Sequence, residues 1–203
     1  MAPGSRADSA KRRIVIIDGH PDRGPERFLH ALAGAYAKGA QDAGHDVQVV
    51  NVANLGFPLL RTATDFESGR PPDVIRAAQE VILQADHLLI LYPLWLGSMP
   101  ALLKGFLEQL LRPSFTFEKR ASGMPKKLLA GKSAHVVVTM GMPGTLYKWY
   151  YRSHGIKSFE RNVLKFVGIA PVRTTVIGLM GNPSTSRQQK WLDKMSSWGT
   201  RAK

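Results

Sequence analysis

Tyr92-Pro93-Leu94-Trp95-Leu96-Gly97-Ser98-Met99-Pro100-Ala101-Leu102-Leu103-Lys104-Gly105-Phe106 is the stretch whose reading decides the fold. The apolar run Leu88-Leu89-Ile90-Leu91-Tyr92 that leads into it is too short for a helix of a globular domain and reads as a buried strand. Pro93 stops the ladder there, because proline has no N–H to donate. Trp95, Gly97 and Pro100 build a short turn. From Pro100 onward the apolar residues fall at Leu103, Phe106, Leu107, Leu110 and Leu111, which is helical spacing. Pro100 suits a first helical position, where its missing N–H costs nothing. The order is strand, tight aromatic loop, helix. Such a loop lies outside the carboxyl end of a parallel strand, where open α/β sheets bind ligands.

Upstream, Arg13 to Asp18 carries Ile14-Val15-Ile16-Ile17, a continuous β-branched run typical of a central parallel strand. It ends in Asp18-Gly19-His20-Pro21-Asp22. A hydrophobic strand that passes through a Gly/Pro loop into a helix is a phosphate-binding layout, with loop N–H groups and the helix N-terminus cradling an anion. Neither a P-loop lysine nor the spaced glycines of a dinucleotide fingerprint is present. Arg23 and Arg27 are available as charge-assisted donors. Phe28 to Ala43 places apolar residues at 28, 29, 32, 36 and 40, one helical stripe, and Gly44 fits a C-terminal cap. Val47 to Val52 alternates into a second strand, and Asn54 to Gly69 follows without periodicity. Pro72 to Gln84 reads as a helix, and Asp86 begins the third strand.

Downstream, Pro113 to Phe117 reads as a short extended piece and Lys119 to Gly131 as a basic loop. Ala134 to Thr139 is the fourth strand, and His135 inside it reads as a core histidine. Thr139-Met140-Gly141-Met142-Pro143-Gly144-Thr145-Leu146-Tyr147 is a second informative loop, in which glycine lets the backbone lie flat beside a ring. Ser158 to Val167 has helical spacing, Val172 to Leu179 is the fifth strand, and a last helix spans Ser184 to Trp198. Five strands alternating with five helices imply an α/β domain over 13–203, a parallel sheet with helices on both faces. The small, polar, basic residues 1–12 are expected to be a disordered tail.

Tyr92 to Phe106 resembles the flavin-contacting loop of the flavodoxin-like NAD(P)H:quinone oxidoreductases, the DT-diaphorase type. Their pattern is roughly aromatic-Pro-Leu-Trp-aromatic-x-x-Pro-Ala-x-Leu-Lys-Gly, and Leu96 stands where an aromatic is usual. Gly19-His20-Pro21 resembles the family's Gly-His-Pro loop, whose histidine contacts the flavin phosphate region. The serine-rich turn that usually follows is replaced by Arg23-Gly24-Pro25-Glu26-Arg27-Phe28. Residues 139–147 resemble the family's Thr-Thr-Gly-Gly turn and its tyrosine, with Met140 and Met142 as soft apolar walls in place of Thr and Gly.

The resemblance covers roughly residues 13–180. It implies a flavodoxin-like five-stranded sheet, FAD as cofactor with FMN as the alternative, NAD(P)H as co-substrate, and a homodimer with sites at the interface. It implies that His20, Arg23, Arg27, Phe28, Pro93, Leu94, Trp95, Leu96, Thr139, Met140, Gly141, Met142 and Tyr147 hold the flavin. Tyr147 and His154 are the expected catalytic donors, although His154 comes one residue later than in the family and Tyr150 or Tyr151 could share its role. The implied reaction carries two electrons from NAD(P)H to a quinone in two hydride steps. The alternatives are a flavodoxin-type electron carrier and a flavin-binding ancillary subunit of a potassium-efflux channel.

Composition bounds the rest. The 203 residues suffice for one domain with a full core, and the absence of cysteine excludes disulfides, thiolate metal sites and a cysteine nucleophile. No apolar run approaches the roughly 18 residues of a membrane span, and no apolar signal segment opens the sequence, so a soluble cytoplasmic protein is expected. Charge is uneven. Residues 1–118 hold 12 Lys/Arg and 13 Asp/Glu, while residues 119–203 hold 16 Lys/Arg against Glu160 and Asp193 alone. This asymmetry is either a solvated face or one that meets an anionic membrane or an acidic protein. No nucleic-acid-binding motif accompanies the charge, so nucleic acid is not the expected partner.

Overall fold

The computed structural model describes residues 10–118, 124–180 and 184–203. The first nine residues of the expected tail, and Lys119 to Gly123 of the expected basic loop, lie outside the described residues. Chain order runs β1 (Arg13–Asp18), α1 (Phe28–Asp42), β2 (Asp46–Asn51), a 3-10 turn (Val52–Asn54), α2 (Ala63–Glu67), α3 (Asp73–Gln84) and β3 (His87–Pro93). It continues through α4 (Ala101–Leu110), α5 (Pro113–Thr116), a two-residue hairpin pair β4 (Phe117–Glu118) and β5 (Lys126–Lys127), and β6 (Ser133–Thr139). The chain then forms α6 (Gly144–Trp149), α7 (His154–Ser158), a π-helical turn (Phe159–Leu164), β7 (Val172–Ile177) and α8 (Thr185–Thr200).

The main sheet has five parallel strands in the order β2-β1-β3-β6-β7. The apolar runs of β1 and β3 are buried on both faces because helices cover both, which is why they read as continuous rather than alternating. On one face α1 and α8 supply Leu29, Leu32, Tyr36, Met195 and Trp198. On the other, α3, α4, α7 and the π turn supply Ile75, Leu103, Phe106, Ile156 and Phe159. The chain leaves β1 toward β2 on one side and returns through β3 on the other. That reversal opens a crevice beyond the strand ends, where doubly wound sheets place ligands.

Helices α1 and α8 cross at contact distance. A Cβ on Gly39 would lie 2.1 Å from the Ser196 carbonyl oxygen, and one on Gly199 would lie 2.1 Å from the Tyr36 carbonyl oxygen. Gly34, on the exposed side of α1, meets nothing within 4 Å. Gly34→Ala is therefore expected to stabilise the protein by about 0.5–1 kcal/mol, because it removes backbone freedom from the unfolded chain without a clash. A urea titration checks this.

Three expectations shift. Pro113 to Thr116 is a helical turn, not extended, because Arg112 anchors it: its carbonyl accepts from Phe115 N, Thr116 N and Thr116 Oγ1. Pro100 caps α4 with φ −57° and ψ 147°, still outside helical geometry, so the helix begins at Ala101. The helix expected from Ser158 begins at His154 and widens into the π turn.

Candidate active site

Three loops meet at the carboxyl edge of the sheet. Pro93 ends β3 opposite Thr139, and Leu94 N donates to the Thr139 carbonyl at 2.7 Å, so the loops after β3 and β6 leave the sheet together. Trp95 and Ser98 exchange both backbone hydrogen bonds at 2.9 Å. The two residues between them have φ of 47° (Leu96) and 78° (Gly97), a tight reversal that glycine adopts without strain and leucine does not. This reversal lifts the Leu96 side chain entirely into solvent and leaves Trp95 about half exposed (51%). The Trp95 ring meets His20 edge-on at 6.3 Å, which ties the β3 loop to the loop after β1.

The β1 loop is shaped by its own side chains. His20 N donates to Asp18 Oδ1 (3.2 Å), Asp22 N donates to His20 Nδ1 (3.0 Å), and Gly24 N donates to Asp22 Oδ1 (2.8 Å). His30, in the first turn of α1, reaches back with both ring nitrogens: Nδ1 lies 2.5 Å from Asp18 Oδ2 and Nε2 lies 2.9 Å from the Asp22 carbonyl. Both neighbours are acceptors, so the imidazolium, with two N–H donors, fits this seat. Burial opposes that charge, but the Asp18 hydrogen bond and the Asp22 carbonyl outweigh it, and the His30 pKa lies above its ordinary value. His20 is shifted the other way, by burial first and then by its charged neighbour His30, whose ring is 5.3 Å away. The environment thus favours charge on His30 and disfavours it on His20.

At its entry, α1 has no side-chain cap and no acidic residue in its first turn. Its leading N–H groups and positive dipole end are thus offered to an anion. Arg23 and Arg27 flank it, but Arg27 is engaged by Asp22 (2.7 Å) and Glu26 (3.1 Å), and Arg23 Nε donates to the Ala53 carbonyl. Phe28 packs partly buried on the α1 side of the core.

On the third side, Gly141 is exposed and a Cβ there would meet nothing within 4 Å, which leaves a flat stretch of backbone. Met142 is half-buried beside it, whereas Met140 turns its side chain into the core and offers only its backbone. Tyr147 is buried and its hydroxyl donates to the Gly97 carbonyl at 3.2 Å; burial pushes its pKa up, against hydrogen bonds to the backbone at Ile156 and Gly155. His154 is exposed at the start of α7. The next residue, Gly155, touches the same turn: a Cβ there would lie 2.1 Å from the Gly97 carbonyl oxygen. Trp149, Tyr150 and Tyr151 stand exposed nearby on α6 and just beyond it.

His20, Trp95, Leu96, Thr139, Gly141, Met142 and Tyr147 are therefore brought to one crevice, while Phe28 and the Met140 side chain face the core. Sequence reasoning missed His30 and Gly155. His30 falls off the apolar stripe of α1, and the one available signal was a carboxyl group, Asp18, closing a strand of buried aliphatics.

A family model described as having a flavodoxin-like fold matches residues 12–198. An uncharacterized NAD(P)H oxidoreductase of Haemophilus influenzae is 31% identical over 137 residues, 66% of this chain and 67% of that protein. An FMN-dependent NADH:quinone oxidoreductase of Beijerinckia indica is 30% identical over 185 residues, 85% of this chain and 90% of that protein. Among solved structures, an NAD(P)H:quinone oxidoreductase from Methanothermobacter marburgensis superposes with a TM-score of 0.79 at 22% identity, covering 96% of this chain and 100% of its own, which speaks to the fold alone.

Proposed function

The chain belongs to the flavodoxin-like NAD(P)H:quinone oxidoreductase family, and from that premise we propose that it binds FMN and transfers two electrons from NADH or NADPH to a quinone. The observation that carries this reading is the convergence of three loops on one crevice. An uncapped helix N-terminus stands on one side, the raised Trp95–Leu96 turn on another and the flat Gly141 backbone on the third. A flavin phosphate matches the first and an isoalloxazine ring the other two. FMN replaces the FAD expected from the family resemblance. The relatives' names support this, and the half of the site that holds a monophosphate is the half whose donors are described above.

A flavin held there would supply the hydride chemistry that links NAD(P)H to the acceptor in two successive steps. The chain's own residues bind and orient. The leading N–H groups of α1 receive the phosphate. His20, with Nδ1 occupied by Asp22 N, keeps Nε2 as its donor when neutral. Leu96 and Trp95 cover the ring with apolar surface and exclude water. Tyr147 holds Gly97 in place and so acts as a positioning residue, and the exposed His154 is the donor left to protonate an acceptor. Exposed Trp149, Tyr150 and Tyr151 beside the crevice suit burial against a second copy, a homodimer with sites at its interface, in the cytoplasm.

Purified protein mixed with FMN is expected to show flavin absorption that survives gel filtration, bleaches on anaerobic NADH or NADPH, and returns on adding a benzoquinone. A chain that leaves gel filtration colourless after FMN and after FAD would overturn the assignment. A chain that retains flavin but is not bleached by either nucleotide would overturn the enzyme and leave a carrier.

A further inference from the structure

A second cavity, of about 400 Å³, lies at the opposite, amino-terminal edge of the sheet. Its floor is His87 and Ser133, the first residues of β3 and β6, with His135 beside them. Its walls carry Arg12 from the approach to β1, Arg173 from β7 and Lys203 after α8. Two features set it apart from an ordinary basic surface.

The first is an unmatched donor. His135 is satisfied: Nδ1 donates to the Lys203 main-chain oxygen (3.1 Å) and Nε2 accepts from Thr175 Oγ1 (2.9 Å). His87 is not. Its Nδ1 meets Ser133 Oγ at 2.8 Å, but its Nε2 is buried without a partner among the described residues, on a side chain only 3% exposed. Ser133 Oγ can donate to Nδ1, and in that tautomer Nε2 carries the proton and is the donor an anion would match. A buried N–H with no acceptor costs about 1–3 kcal/mol, so such groups are as a rule matched.

The second is an excess of positive side-chain charge, in which the one recorded guanidinium bond is from Arg12 Nη1 to the Ala202 carbonyl at 3.4 Å. Arg12, Arg173 and Lys203 form no ion pair among the described residues. The carboxylate next to this edge, Asp86, is taken by Arg13, through its backbone N–H at 2.8 Å and its guanidinium at 3.8 Å. Burial, together with the charges of His135, Arg12 and Arg173, holds His87 down at about 4, so the ring is a neutral donor at pH 7 in a cationic field.

Two guanidinium forks, an ammonium and one neutral N–H around a cavity of this size form a phosphate-recognising set. We propose that this pocket binds a phosphate group, free or on a small metabolite, at a site separated from the redox crevice by the length of the sheet. The inference stands whether or not the chain carries FMN.

The test uses protein saturated with FMN, so that the site at α1 is filled. Inorganic phosphate and ribose 5-phosphate are titrated by calorimetry at pH 7 and constant ionic strength set with KCl. Saturable one-site binding is expected for at least one of them. The Arg12→Gln/Arg173→Gln double variant should weaken it at least about tenfold, the fold-change of one lost charge-assisted bond. A Lys148→Gln/Lys157→Gln variant, with the same loss of charge elsewhere, should leave it unchanged. Tighter ribose 5-phosphate than inorganic phosphate would identify an organic phosphate as the ligand, and the reverse would identify the free ion. Absence of saturable binding, or equal weakening in both double variants, would overturn the proposal and reduce the cluster to bulk charge.

Discussion

Gly155→Ala is expected to unseat the crevice. The added Cβ would sit 2.1 Å from the carbonyl oxygen of Gly97 and 3.1 Å from its carbonyl carbon, and both are backbone atoms that no rotamer change can move. Either α7 retreats or the Trp95–Ser98 turn does. The first movement stretches the backbone bonds from Gly155 and Ile156 to the Tyr147 hydroxyl, and the second stretches the 3.2 Å bond from that hydroxyl to the Gly97 carbonyl. Overpacking of this kind costs about 1–3 kcal/mol and more where the obstacle is backbone. We expect about 3 kcal/mol of stability to be lost and FMN affinity to fall by more than about tenfold, because in the function proposed above this turn supplies the apolar cover of the ring. Urea unfolding and flavin fluorescence quenching measure the two effects. Gly34→Ala, the same chemical change in open space, should lower neither. A Gly155→Ala protein with unchanged flavin affinity would show that the turn does not touch the ring.

His30→Phe is expected to be the second severe substitution. It leaves Asp18, only 3% exposed, facing a hydrocarbon ring in place of its partner. Breaking one side of a buried pair costs about 3–5 kcal/mol. The same change releases the Asp22 carbonyl, so the β1 loop loses both of its bonds to His30 and FMN affinity should fall with stability. The pair also predicts a pH dependence whose sign is fixed. The folded pKa of His30 is raised, so its contribution is fully present below the unfolded value near 6.5 and is lost as pH rises through the folded value. Asp18→Asn offers an amide that can donate to a neutral Nδ1 while Nε2–H still reaches Asp22, and Asn Oδ1 can still accept from His20 N. As pH rises from about 6.5 through the raised folded value, the stability of the parent should therefore decline relative to Asp18→Asn. Parallel stability curves for the two proteins would show that His30 does not act as a cation.

Some of this was legible in the sequence and some was not, for physical reasons. The strands of the sheet centre announced themselves because burial on both faces demands unbroken runs such as Ile14 to Ile17 and Leu88 to Tyr92. The β3 loop was legible because Pro93, Gly97 and Pro100 each impose a backbone constraint of their own. Pro113 to Thr116 was misread because its helical turn comes from tertiary anchoring. Arg112 is buried with its guanidinium bonded to the Gly69 carbonyl at 2.6 Å, a contact across 43 positions that no local pattern encodes. Tyr147 was found as a residue, but the reach of its hydroxyl to Gly97 spans 50 positions and appears only in three dimensions. His30 was passed over because a helical stripe records what faces the core, and this ring faces the β1 loop.

The crossing of α1 and α8 bears on how the protein is made. The first helix of the chain is completed by the last, and Thr200 Oγ1 donates to the Gly39 carbonyl across 161 positions. A nascent chain that has emerged only as far as β7 still carries Leu32, Tyr36, Ile16 and Leu89 on an uncovered face. From the end of α1 to the end of α8 the ribosome adds 158 residues, so at synthesis rates of 5–20 residues per second the apolar side of α1 waits roughly 8–32 s for its lid. Contacts so distant in sequence also close slowly once the chain is free. This enzyme should thus lean on chaperones during translation, and its yield in cells should respond more to C-terminal truncation into α8 than to any substitution in the redox crevice.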